Sequence, residues 1–242
     1  FGSVTELFIK IFNLGRVMTK LEYKPIKFPH DELKHPTIGE WWYFNGNLTG
    51  EDGQSYAYMN TLFRAKIPLT TEEKWDKLPS TNTYFYHSII SDIGGCKFYP
   101  HVDKVVVVSR DSFSGPLLNI YFTKPLKTLN YHAYYIEEPK PFCYRIKGPG
   151  LMLDLKSRKK PLLENETGYV DFNNKPTYYY SLTNIDTKGV IEIEGKKIKV
   201  KGKSWMDHQW ANVANITNDF WNWFSIQLDD NSELVCYEYG NS

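Results

Sequence analysis

Asp207 and His208 form the chain's one Asp-His dipeptide, in the run Ser204-Trp205-Met206-Asp207-His208-Gln209-Trp210. Trp221-Asn222-Trp223-Phe224-Ser225 follows, so four of the seven tryptophans gather around the pair. A third titratable candidate, Glu40, opens Glu40-Trp41-Trp42-Tyr43-Phe44-Asn45-Gly46-Asn47-Leu48. A carboxyl or imidazole set among aromatic rings has its pKa moved by burial, which suits proton transfer near neutrality. The matching chemistry is protonation of a carbon–carbon double bond, followed by water attack or ring closure. Trp and Tyr faces would stabilise the cation. The same pattern fits a core histidine satisfied by one hydrogen bond, and Glu40 at a strand end that reaches solvent.

These residues need strands to position them. In an extended strand alternate side chains share a face. Met206, His208 and Trp210 then share one face, and Trp205, Asp207 and Gln209 the other. Glu40, Trp42, Phe44 and Leu48 share a face of their strand, where burial would push Glu40 toward its neutral form. Glu51-Asp52-Gly53 reads as a turn, so 40–48 and 54–64 form a hairpin, with Tyr58 and Arg64 on one face of the return strand. Further strands are expected at 84–91, 97–99, 104–109, 117–123, 130–136, 142–147, 151–155 and 177–183, separated by Gly, Pro and Asp punctuation. A Gly195-Lys196 turn would close a hairpin over 190–201, setting Ile193 opposite Ile198 and Glu192 opposite Lys199. Residues 66–83, with Trp75 among charges, read as a long loop or lid. Short strands at this spacing make an all-β antiparallel barrel or sandwich.

Residues 1–21 form a separate N-terminal amphipathic segment, with Val4, Leu7, Phe8, Ile11 and Leu14 on one helical stripe. It reads as a short helix, the remnant of a signal segment, or appended sequence, and is too short to span a bilayer. Pro25, Pro29 and Pro36 make the approach to Glu40 extended.

With 242 residues, the chain is long enough to bury a sizeable core. Its 29 basic and 28 acidic residues leave a net charge of +1, which gives no field for nucleic acid. Cys96, Cys143 and Cys236 show neither zinc-like spacing nor a disulfide framework. His30, His35, His87, His101, His132 and His208 show no ligand-like pairing along the chain. No phosphate loop, dinucleotide fingerprint or nucleophile elbow is present. No metal or other cofactor is therefore expected. The expected partner is a hydrophobic small molecule, an isoprenoid, polyene or lipid, with peripheral membrane contact as a further option. The compartment stays open between secreted or periplasmic and membrane-peripheral.

Several segments, in order from about residue 35 to the end, resemble the carotenoid 1,2-hydratase and AttH-like family of lipocalin-related proteins. Residues 204–210 are similar to its W-M-D-H-E-W motif, and 40–48 to its E-W-W-Y-x-x-G-x-L strand. Tyr179-Tyr180-Ser181 and Trp223 to Asp230 are similar to its Y-Y-S and W-F-S-x-Q-L-D-D-G segments. Gln209, Ala211 and Asn231 depart from the family's Glu, Gly and Gly. The resemblance implies a lipocalin-like barrel over 22–215, with the first strands of a second lipocalin-like half at 216–242. It implies a cofactor-independent hydratase or cyclase, with Asp207, His208 and Glu40 as catalytic groups. Trp42, Tyr58, Trp210, Trp223 and Tyr237 would bind the substrate. A non-catalytic carrier of a hydrophobic ligand is the alternative.

Overall fold

A computed structural model describes residues 21–68, 80–127, 129–172, 175–212 and 219–241. The helical stripe at 4–18, the middle of the 66–83 loop with Trp75, and the 215/216 domain boundary lie outside the described residues.

Alternation of apolar and polar residues builds the strands. They are β1 (Gly39–Gly50), β2 (Ser55–Pro68), β3 (Ser80–Asp92), β4 (Lys97–Val108), β5 (Asn119–Thr123), β6 (Tyr134–Lys140) and β7 (Cys143–Gly148). β8 (Leu151–Ser157), β9 (Leu162–Leu163), β10 (Tyr169–Asp171), β11 (Pro176–Ile193) and β12 (Lys196–Ala211) follow, then β13 (Asp219–Gln227) and β14 (Glu233–Asn241). β8 shows the pattern plainly: Leu151, Leu153 and Leu155 are buried while Met152, Asp154 and Lys156 are exposed. Each such leucine contributes roughly 1.5–3 kcal/mol by leaving water.

Ten strands run antiparallel in the order β11-β12-β1-β2-β3-β4-β5-β6-β7-β8. Pairing of β8 with the second part of β11, Leu151 against Ile191 through Ser157 against Ile185, closes them into a lipocalin-like barrel. Closure removes the sheet edges that would otherwise invite aggregation. A bulge between Leu182 and Ile185 marks where β11 changes neighbours. Before it, β11 pairs with β9 and β10; after it, with β8. β13 and β14 form a separate two-stranded sheet.

The interior is aromatic and tightly filled, with Trp42, Phe44, Tyr86, Phe122, Tyr144 and Tyr180 among its fully buried rings. Gly46 is among the glycines set by a close approach. Gly46 lies between Tyr58 and Ser204 in the register of β2, β1 and β12. Tyr58 Oη crosses it to donate to Ser204 Oγ at 2.8 Å. A Cβ on Gly46 would meet Ser204 Oγ at 2.4 Å and the Lys203 carbonyl at 2.5 Å.

Residues 21–38 pack against the end of the barrel where β1 begins and β12 ends. Tyr169 Oη donates to the Leu21 carbonyl at 2.8 Å, and Tyr178 Oη to the Glu22 carbonyl at 2.9 Å. Phe28 meets Tyr180 edge-on at 4.9 Å. A single 3-10 turn, His30–Glu32, carries Glu32 into the barrel, where its carbonyl accepts from Trp42 Nε1 at 3.0 Å. Among the described residues, no helix is long and apolar enough to cross a membrane.

Two local expectations are corrected. The β11–β12 hairpin turns on Glu194-Gly195, both at positive φ, with Ile193 opposite Lys196, Ile191 opposite Ile198 and Glu192 opposite Lys197. A type I′ turn takes its glycine at the second central position, which shifts the turn one residue earlier than Gly195-Lys196. The strands expected at 97–99 and 104–109 are one strand, β4, running through Pro100. β5 pairs with β4 only at Val107 and Val108, so no ladder partner needs the amide hydrogen that Pro100 lacks.

Candidate functional site

β1 sits between β2 and β12, and this register assembles the site. Glu40 lies opposite Arg64 on one side and Trp210 on the other; Trp42 lies opposite His208. All five side chains face the barrel interior and are buried. His35 and Asp31 reach them from the segment before β1.

Glu40 is the hub. Its Oε1 accepts from His35 Nδ1 at 2.7 Å and from His208 Nε2 at 3.1 Å. Its Oε2 accepts from Arg64 Nε at 3.0 Å, and the His35 backbone amide reaches both oxygens at 3.1 Å. Arg64 is itself fixed by the Thr37 carbonyl at 2.8 Å, Thr37 Oγ1 at 3.0 Å and Asn82 Oδ1 at 3.1 Å. On the far side of His35, Nε2 lies 3.4 Å from Asp31 Oδ1. On the far side of His208, Nδ1 lies 3.3 Å from Tyr180 Oη. The result is a continuous chain, Asp31–His35–Glu40–His208–Tyr180.

The charges follow from the partners. Burial works to raise Glu40, but His208, His35 and Arg64 outweigh it and hold the carboxyl at about 2. Glu40 is therefore buried and ionised, not buried and neutral as its apolar face suggests. Burial lowers His208 to about 4 despite Glu40, so its ring is neutral. An ionised Glu40 only accepts, so His208 carries its proton on Nε2 and its Nδ1 accepts from Tyr180. Burial opposes charge on His35 too, yet Asp31 and Glu40 raise its pKa above the ordinary value. With a carboxylate at each nitrogen, both nitrogens donate and His35 is an imidazolium.

His35 also stacks on Trp210, with ring centroids 3.8 Å apart and planes within 1°. Trp210 in turn stacks on Tyr178 at 5.2 Å. Asp31, His35, Tyr178 and Trp210 line a cleft of about 350 Å³, together with Leu21, Pro25, Pro36, Thr37 and others. His35, with 12% of its side chain exposed, separates this cleft from Glu40 and His208, which have none.

The residues singled out in sequence divide between two places. Glu40, His208, Trp42 and Trp210 come together inside the barrel. Tyr58 is also interior, but its hydroxyl belongs to the Ser204–Thr187 group and it does not line the cleft. Asp207 faces the opposite side of the wall, where it accepts from Ser181 Oγ at 2.6 Å, Trp205 Nε1 at 2.7 Å and Tyr179 Oη at 2.9 Å. Trp223 from β13 joins that side, donating from Nε1 to Tyr179 Oη at 2.9 Å, and Tyr237 from β14 packs near Tyr179. Gln209 lies there too, donating to Thr177 Oγ1 at 3.1 Å. Its departure from the family's Glu therefore leaves the Glu40–His208 cluster untouched. Burial raises Asp207 to about 6. Burial and the Asp207 charge raise Glu164, 3.2 Å from Ser181 Oγ, to about 7.

Sequence reasoning missed His35, Asp31 and Tyr180 as site groups. Arg64 was within reach, because a turn centred on Asp52 sets residue 64 opposite residue 40. Nothing in the proline-rich segment marks His35. The histidines lack ligand-like spacing along the chain, yet His35 and His208 converge on one carboxylate in space.

The closed barrel and this interior cluster define a lipocalin-like protein with a buried acid–base network. The AttH-like family profile matches residues 19–241, and the chain belongs to that family. A "putative AttH" from Nitrosomonas europaea, known from a crystal structure at 2.00 Å, is similar with a TM-score of 0.69 and 21% identity. The match covers 93% of this chain and 68% of that one. Kievitone hydratase from Nectria haematococca is similar with a TM-score of 0.55 and 12% identity, over the same shares of the two chains. These likenesses establish the shared fold. Among curated proteins, no sequence matches.

Proposed function

We propose that the chain is an acid–base hydratase acting on a carbon–carbon double bond of a hydrophobic, isoprenoid or polyene substrate held at the cleft. One observation carries this reading: the chain from Asp31 through His35, Glu40 and His208 to Tyr180, with His35 at the edge of the cleft. The hydratase among the structural neighbours supports the reaction class.

His35 donates its Nε2 proton, the one held by the longer 3.4 Å contact, to an alkene carbon. Its Nδ1–H stays on Glu40, which fixes the ring's orientation and tautomer. The Asp31 carboxylate and the Tyr178 ring stabilise the cation, while Trp210, stacked between His35 and Tyr178, holds the imidazolium in place. Water adds to the cation, Asp31 takes the water's proton, and that proton returns to His35. The sum is addition of one water across the double bond; with water excluded, the same cation closes a ring. Arg64 and His208 act as positioning residues that keep Glu40 in place.

The test is incubation of the protein with an isoprenoid alkene in ¹⁸O-labelled water, read by mass spectrometry. The expected product is the alkene plus one labelled water, with the rate reduced about 10²–10⁴-fold in His35→Gln. Recovery of bound but unchanged alkene across an isoprenoid and polyene panel would replace this reading with that of a carrier.

A further inference from the structure

We infer that His35, Glu40 and His208 form a binding site for one divalent transition-metal ion, with Zn²⁺ the best match to two imidazoles and one carboxylate. The inference goes beyond the acid–base reading and does not depend on it. The ion would take the place of the Nδ1 proton, so His35 in an occupied site is a neutral ligand whose Nε2–H stays on Asp31, and no longer the imidazolium acid.

Donor atoms from His35, Glu40 and His208, one each, lie within 4.8 Å of one another, and His35 Nδ1 and His208 Nε2 both point at Glu40 Oε1. Two of the separations are 2.7 and 3.1 Å. Tetrahedral zinc with N and O donors sets them about 3.3 Å apart, so a few tenths of an ångström of opening admits the ion. Three protein ligands leave such an ion one position for water or a ligand atom, the pattern of open zinc sites.

The atoms that would face away from the ion are the stronger observation, because each already has a partner suited to a ligand residue. His35 Nε2 faces Asp31, giving a carboxylate–histidine–metal arrangement. His208 Nδ1 faces Tyr180 Oη, which donates now and can accept when Nε2 gives up its proton to bind the ion. Glu40 Oε2 is held by Arg64, which leaves Oε1 as the single coordinating oxygen. Outer partners that already orient all three ligands keep the rearrangement needed to bind a metal small.

The test uses tag-free protein stripped with a chelator and titrated with Zn²⁺ by calorimetry and with Co²⁺ by visible absorption. One saturable equivalent and tetrahedral Co²⁺ bands are expected. His35→Ala should abolish both with native circular dichroism retained. Asp31→Asn, which keeps all three ligands, should weaken binding about 10–100-fold, and it decides the matter if His35→Ala misfolds. His132→Ala, at an exposed His–Asp pair 3.1 Å apart, should bind like wild type. The inference is overturned if wild type takes up no saturable equivalent, if Asp31→Asn binds as tightly as wild type, or if His132→Ala loses the ion.

Discussion

Asp207 and His208 are neighbours in the chain and stand on opposite sides of the barrel wall. His208 points inward to Glu40 at 3.1 Å, while Asp207 points outward to Tyr179, Ser181 and Trp205. Strand geometry makes this unavoidable, since successive side chains of β12 leave by opposite faces. The dipeptide is therefore not one acid–base couple. His208 belongs to a network that reaches the cleft. Asp207 is the anchor of a second network, which ties β11 and β12 to Trp223 of β13.

Asp207→Asn separates the two networks. Asn offers one acceptor oxygen where Asp207 uses two, so either Tyr179 or the Ser181–Trp205 pair loses its acceptor in a buried place. The expected cost is about 1–3 kcal/mol in urea unfolding, with turnover per folded molecule unchanged. A loss of turnover without a loss of stability would return Asp207 to the chemistry.

Period-two alternation was enough to place Glu40, Trp42, Phe44 and Leu48 on one face, and Met206, His208 and Trp210 on another. Both sets are interior because β1 and β12 pair with Glu40 opposite Trp210. The same alternation had Asp207 on the far side; residue type, not geometry, grouped it with His208. The state of Glu40 was not legible, because it depends on Arg64, His35 and His208, which come from three different elements. Alternation sees one strand at a time. His35 and Asp31 sit in a segment with neither strand nor helix period, so only the folded chain shows that they close the network. The β11–β12 turn was legible in kind but off by one residue, since Glu194-Gly195 and Gly195-Lys196 both carry a glycine and only the first has it at the second central position.

A second buried acid group predicts a pH dependence. Glu32 lies inside the barrel, where Tyr144 Oη donates to its Oε1 at 2.6 Å. Burial raises its pKa far above the ordinary 4.5, and the neighbouring Glu138 raises it further. Among the described residues no donor reaches Glu32 Oε2, so its contact with Glu138 becomes a hydrogen bond only when the carboxyl carries a proton. The folded chain thus binds a proton here that the unfolded chain releases above 4.5. This contribution is complete below 4.5 and declines as pH rises through neutrality, with a limiting slope of about 1.4 kcal/mol per pH unit. Glu32→Gln mimics the protonated carboxyl and removes the slope. Urea unfolding of both proteins from pH 6 to 9 should show the variant gaining on wild type as pH rises. A constant difference would mean that Glu32 does not hold the proton.

Arg64 Nε holds Glu40 Oε2 at 3.0 Å, with 1% of the arginine side chain and none of the glutamate exposed. A buried ion pair adds little by its mere presence, because desolvating both charges cancels much of their attraction. Removing one partner is different, since it leaves the other charge uncompensated. Arg64→Met keeps most of the volume and should cost about 3–5 kcal/mol in urea unfolding. Glu40→Gln alone should also destabilise, by stranding the guanidinium. The double variant Arg64→Met/Glu40→Gln buries no net charge from the pair, so its cost should be smaller than the sum of the singles by about 1–3 kcal/mol. Simple additivity of the two substitutions would show that Arg64 is held by Thr37 and Asn82 alone, and that Glu40 draws its ionised state from His35 and His208 without it.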